Sequence, residues 1–184
     1  MTHNSLLLLR SSLVRAHIDS ECRHAFEETV RTFHHPRYEI VPTGDRYEGP
    51  EEVAAFFLET HTAFPDFRFV IHALHHSEGA VIVELDFVGT HRGPWRGLPP
   101  TGRSVSYRMC AVFLFEEDRL ICERLYFDLL TVLRGLGVGR DPKSFWGKIL
   151  LFINHPWVIG RACARKWFGF LGLATKQTRR FASR

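Results

Sequence analysis

Four runs of sequence, Phe67 to Leu74 (FRFVIHAL), Ala80 to Thr90 (AVIVELDFVGT), Ser104 to Phe115 (SVSYRMCAVFLF) and Leu120 to Phe127 (LICERLYF), are dense in β-branched and aromatic residues. Such runs read as strands. Glu116-Glu117-Asp118-Arg119 is a hairpin turn between the last two, and His91 to Gly102, with three prolines and three glycines, is a loop.

Upstream of these runs the period changes. Ile18, Cys22, Ala25, Phe26, Thr29 and Phe33 recur at three and four, which predicts one long helix over 5–33, ended by His34-His35-Pro36. Tyr38 to Val41 is a short extended piece, and Pro42-Thr43-Gly44-Asp45 is a turn. A second helix begins at Gly49-Pro50, with Glu51 and Glu52 in its first turn, and stops at Phe64-Pro65-Asp66. Helices followed by four strands predict an α+β fold, with the helices on one face of a curved antiparallel sheet. Leu129 to Leu136 is expected to form a short helical turn, capped by Gly137 or Gly139.

The 184 residues are enough for one domain with a C-terminal surplus, and 45% apolar composition supports a packed core. Sixteen phenylalanines point to an aromatic core or an aromatic-lined cavity. The four cysteines are scattered and form no CxxC pair, so buried reduced thiols in a cytoplasmic protein are expected. Leu6 to Leu9 is too short for a secretory leader, and no run of about 18 uncharged apolar residues predicts a transmembrane span.

Charge is unevenly divided. Of 24 basic residues, nine lie beyond Pro142, where no acidic residue occurs; residues 1–141 therefore hold 15 basic against 20 acidic. The division predicts a domain over 1–141 and a basic helical extension over 142–184. Three of the four tryptophans fall in the extension. Its apolar helices either pack on the domain or on a dimer partner, or lie on an anionic membrane surface, where Trp, Lys and Arg are favoured.

Six segments in order carry a resemblance: Tyr47-Glu48-Gly49, Ala63-Phe64-Pro65-Asp66, Gly89-Thr90-His91-Arg92-Gly93, Gly97 to Arg103, Glu123 to Asp128, and Leu133 to Gly137. Together they resemble the SnoaL-like proteins, polyketide ester cyclases among them, of the nuclear transport factor 2-like superfamily. The resemblance spans roughly 35–140 and omits the extension. It implies a cone-shaped domain with an apolar pocket at its wide end. It further implies frequent dimerisation and cofactor-free cyclase, isomerase or lyase chemistry on small hydrophobic carbonyl compounds.

Under this resemblance Asp128 is the candidate general base, which needs a carboxylate raised in pKa by an apolar pocket. Its other reading is the N-cap of the turn that follows. His91 is the candidate polariser of a developing enolate, or a residue that bonds its own loop. Tyr47, Phe64, Trp95, Tyr107, Met109, Arg124 and Tyr126 are candidate ligand contacts. Arg124 precedes Asp128 by an even number of residues, so a regular strand places both on one face, where the guanidinium would lower the carboxyl pKa. Residues 111–115 are wholly apolar where cyclases carry an ionisable side chain, which favours an alternative: a binding or carrier protein of the same fold. A third reading is a structural dimer whose cavity is filled by its own phenylalanines. His72, His75 and His76, and the pair His34-His35, are read as surface histidines, with no metal and no nucleic acid as partner.

Overall fold

A computed structural model describes residues 3–166, which divide into two compact units, one ending at Gly139 and the other beginning at Arg140. The first unit runs α1 (His3–Cys22), α2 (Phe26–Arg31), β1 (Arg37–Ile40), β2 (Asp45–Glu48), α3 (Pro50–Ala63), β3 (Arg68–His76), β4 (Ala80–Thr90), β5 (Ser104–Glu116), β6 (Arg119–Phe127) and α4 (Leu129–Gly135). The second contains α5 (Phe145–Asn154) and, after a break at His155, a helix over 156–166.

The class is the expected α+β, with two corrections to the sheet. It has six strands in the order β2-β1-β6-β5-β4-β3 rather than four, and it is mixed. Strand β1 lies parallel to β6, Tyr38 opposite Glu123, while every other pairing is antiparallel. The extra strand β2 exists because Gly44, at φ 75°, reverses the chain after β1.

The long first helix is also corrected. It breaks after Cys22, where His24 takes the left-handed conformation at φ 58°. Ala25 N–H then donates to the Ser20 carbonyl at 2.9 Å, closing the helix without the glycine that usually marks such an end. Folded back, α2 bonds α1 through side chains: Ser20 Oγ lies 2.7 Å from Thr29 Oγ1, and His17 Nδ1 lies 2.6 Å from Thr32 Oγ1.

The core fills the space between these helices and one face of the sheet. Val81, Val83, Leu85 and Phe87 of β4 alternate inward, as do Met109, Ala111, Phe113 and Phe115 of β5. The opposite face is polar, with Asp86 paired to His72 and Arg108. Alternation fails once in β6. The register slips between Leu114 and Phe115, so Phe115 faces Leu120 while Phe113 faces Glu123. This bulge puts Leu120 and Glu123 on the same inward face, three residues apart.

Candidate active site

An aromatic-lined cavity opens between α3 and the sheet. Phe56, Phe57 and Thr60 line it from α3, Phe87, Tyr107 and Met109 from the sheet, and Phe64 and Phe67 from the segment between. Trp95 and Arg96 of the 91–102 loop complete the wall; Arg96 is held by an ion pair to Asp45. Strand β6 contributes Leu125 and Phe127, whose alternation continues to Glu123.

Two polar side chains also line this cavity, Glu21 of α1 and Tyr38 of β1. They belong to a buried cluster with His17 and Glu123, each of the four no more than 3% exposed. Tyr38 OH donates to Glu21 Oε1 at 3.4 Å. His17 Nε2 lies 2.9 Å from Glu123 Oε2 and 3.9 Å from Glu21 Oε1.

The neighbours fix the protons. Thr32 Oγ1 donates to the Thr29 carbonyl at 2.7 Å, so it accepts from His17 Nδ1. Burial lowers the His17 pKa, so the ring is neutral, with its proton on Nδ1 and a bare lone pair at Nε2. A lone pair facing a carboxyl oxygen at 2.9 Å without an aligned hydrogen bond is repulsive unless a proton lies on one of them. Burial raises Glu21 to about 8, with the nearby Glu123 adding to the shift, and burial likewise raises Glu123 to about 8. Burial also raises the Tyr38 hydroxyl well above its ordinary value, with the two carboxyls contributing. The carboxyl pair thus retains a proton at neutral pH. His17, Glu21 and Glu123 are also the group among the described residues whose ligand-type atoms approach within 4.8 Å of one another, the spacing a small cation would need.

Among the residues singled out from sequence, Phe64, Trp95, Tyr107 and Met109 line the cavity. Tyr47 stands behind it, its ring 4.8 Å from that of Phe56. Arg124 and Tyr126 occupy the other face of β6, where Arg124 bonds Glu39 at 2.6 Å and Tyr126 is exposed.

Asp128 is a correction. It is exposed and caps α4: Oδ1 accepts from Leu130 N–H at 2.9 Å and Oδ2 from the Thr131 hydroxyl at 2.6 Å. These bonds, the Thr131 one foremost, lower its pKa, the opposite of what a general base in an apolar pocket requires. His91 is buried beside the cavity with its ring tilted against Phe64 at 5.2 Å, yet the ring serves its own loop, with Nδ1 accepting from Thr101 N–H at 3.1 Å. The loop start is pinned to α3, where Arg92 and Gly93 N–H both donate to the Ala63 carbonyl. A Cβ on Gly93 would stand 2.0 Å from the Thr62 oxygen.

Sequence reading missed His17, Glu21, Tyr38 and Glu123. The available signal was an ionisable pair at i and i+4 on the same helical face as Val14 and Ile18. The ionisable group absent from 111–115 is supplied instead by α1 and by the neighbouring strand β6, where Glu123 faces Phe113.

The comparisons with known proteins agree with this architecture. A SnoaL-like polyketide cyclase candidate from Jannaschia sp. CCS1 superposes with a TM-score of 0.60 at 22% identity, over 72% of this chain and 94% of that one. An LEH-like epoxide hydrolase from M. tuberculosis gives 0.57 at 20% identity, over 72% and 92%. A protein with a ketosteroid isomerase-like fold from Catenulispora acidiphila gives 0.58 at 16%, over 68% and 92%. At these identities the likeness is one of fold. No curated protein matches the chain. The family description "SnoaL-like polyketide cyclase" matches residues 13–136, well over half of the sequence, and the protein therefore belongs to the SnoaL-like polyketide cyclase family.

Proposed function

We propose that this protein acts without a cofactor on a small, largely apolar carbonyl compound, polyketide- or lipid-like, by proton transfer in the cavity, with Glu21 in the role that the sequence reading gave to Asp128. The observation that carries this reading is a carboxyl with a pKa of about 8 in the wall of an aromatic cavity. Such a group, ionised in a minority of molecules at neutral pH, is in that form a stronger base than an ordinary carboxylate; it takes a proton from carbon beside a carbonyl and returns it elsewhere on the same molecule, which is the step shared by aldol cyclisation and double-bond isomerisation. Tyr38, donating to Glu21, steadies the carboxylate form. Glu123 and His17 hold the second proton close by, so that charge changes at Glu21 are buffered inside the cluster.

The second reading, a carrier that binds without turnover, is favoured by the apolar lining and by the fully enclosed position of His17 and Glu123. Native mass spectrometry of the purified protein identifies a co-purified ligand and its class; turnover and affinity are then measured on that compound. Glu21→Gln is expected to lower turnover at least a hundredfold with affinity within threefold, while Asp128→Asn leaves turnover within threefold. Unchanged turnover in Glu21→Gln removes Glu21 from the chemistry, and absence of turnover in the natural protein with tight binding establishes the carrier.

A further inference from the structure

We propose that the C-terminal unit docks the protein on an anionic lipid surface, with α5 and the helix after it lying in the headgroup layer. Helix α5 (FWGKILLFIN) has one charged residue, Lys148, and its apolar side chains cover one broad face, with Gly147, Lys148 and Asn154 toward the opposite side. Phe145 is 71% exposed, Trp146 68%, Ile153 65% and Trp157, just past the break, 83%. An amphipathic helix with its apolar face open suits an interface between water and a nonpolar medium, and this much exposed aromatic and aliphatic surface marks an interaction site.

Charge complementarity selects the medium. Every charged residue beyond Pro142 is basic, nine in all, and the described ones, Lys143, Lys148, Arg161, Arg165 and Lys166, lie beside or within the apolar stretches. A protein partner with a matching apolar core would not require an acid-free sequence over this length, whereas a bilayer with acidic headgroups attracts each cation independently. Tryptophan is favoured at the boundary between headgroups and acyl chains. At ten residues α5 extends about 15 Å, half the roughly 30 Å hydrocarbon core, and no described helix is long and apolar enough to cross a membrane. The break at Asn154-His155-Pro156 divides the stretch into two short pieces, each suited to lying in the plane of the surface.

The test uses the full chain with vesicles of phosphatidylcholine alone and of phosphatidylcholine with 30% phosphatidylserine. The expected result is at least tenfold greater sedimentation with the anionic vesicles, a blue shift of tryptophan emission on binding, and loss of binding as salt rises. Phe152→Glu with Ile153→Glu, and separately Arg161→Glu with Arg165→Glu, should each reduce vesicle binding at least tenfold while circular dichroism and cavity ligand binding stay unchanged. Equal partition to both vesicle types, or no partition to either, overturns the proposal. So does a natural protein that is dimeric in solution and becomes monomeric in Phe152→Glu with Ile153→Glu, because the apolar face would then be covered by a second copy.

Discussion

Glu21 and Glu123 sit close enough that their protons cannot be assigned independently, and this coupling has a thermodynamic signature. Burial raises both from the ordinary 4.5 to about 8. Between those values the folded protein binds more protons than the unfolded chain, so stability is fully present below about 4.5 and is lost as pH rises through about 8. His17, lowered by burial, works in the opposite direction and only below its ordinary 6.5. The melting temperature is therefore expected to fall between pH 6.5 and 8.5, and Glu123→Gln, which keeps the protonated shape, should flatten that fall. A natural protein and a Glu123→Gln variant with parallel profiles across this range would show that the carboxyls ionise normally. Asp128 is legible from sequence as either cap or base; what separates the two is whether Leu130 N–H and the Thr131 hydroxyl or an apolar wall surrounds the carboxyl, and that depends on the path of α4.

Helix α1 is an unusual core element because Arg10, His17, Ser20 and Glu21 are as buried as Val14 and Ile18. Arg10 explains how the helix is seated. Its guanidinium donates to the Glu78 carbonyl at 2.9 Å and, through Nε, to the Glu117 carbonyl at 2.8 Å, tying both hairpin turns to α1. It also lies over the Phe115 ring at 5.1 Å. Arg10→Met removes these charge-assisted, part-buried bonds, which should destabilise the protein by about 2 kcal/mol. Chemical denaturation checks this, and a loss under ~0.5 kcal/mol would mean that water replaces the guanidinium without penalty. The bulge in β6 belongs to the same level of organisation. A regular strand would put Leu120 with Cys122 and Arg124 on one face, and the extra residue is what lets Leu120 and Glu123 both point into the core. Bulges have no reliable sequence mark, which is why the face of β6 that carries Glu123 escaped the reading and Arg124 and Asp128 took its place.

The cavity is a property of the assembled molecule, since its wall draws on α1, α3, five strands and the 91–102 loop. Thr60 lies at its edge, partly exposed on α3, so Thr60→Trp can fill the mouth without displacing buried core. Ligand affinity should drop at least tenfold with the melting temperature changed by only a few degrees, a combination read by calorimetry on one preparation; unchanged affinity would place the ligand elsewhere. Much of this molecule follows from short-range pattern. Period-two runs, a Pro-initiated α3, the proline- and glycine-rich loop and the charge division of the C-terminal unit are all local properties of the chain, and from them come the α+β class and four of the cavity-lining residues, Phe64, Trp95, Tyr107 and Met109. The parallel pairing of β1 with β6 and the convergence of His17, Glu21 and Tyr38 with Glu123 are not local. They bring together residues about a hundred positions apart, and the shift in their proton affinities arises from burial that exists only once helices and sheet have closed over them.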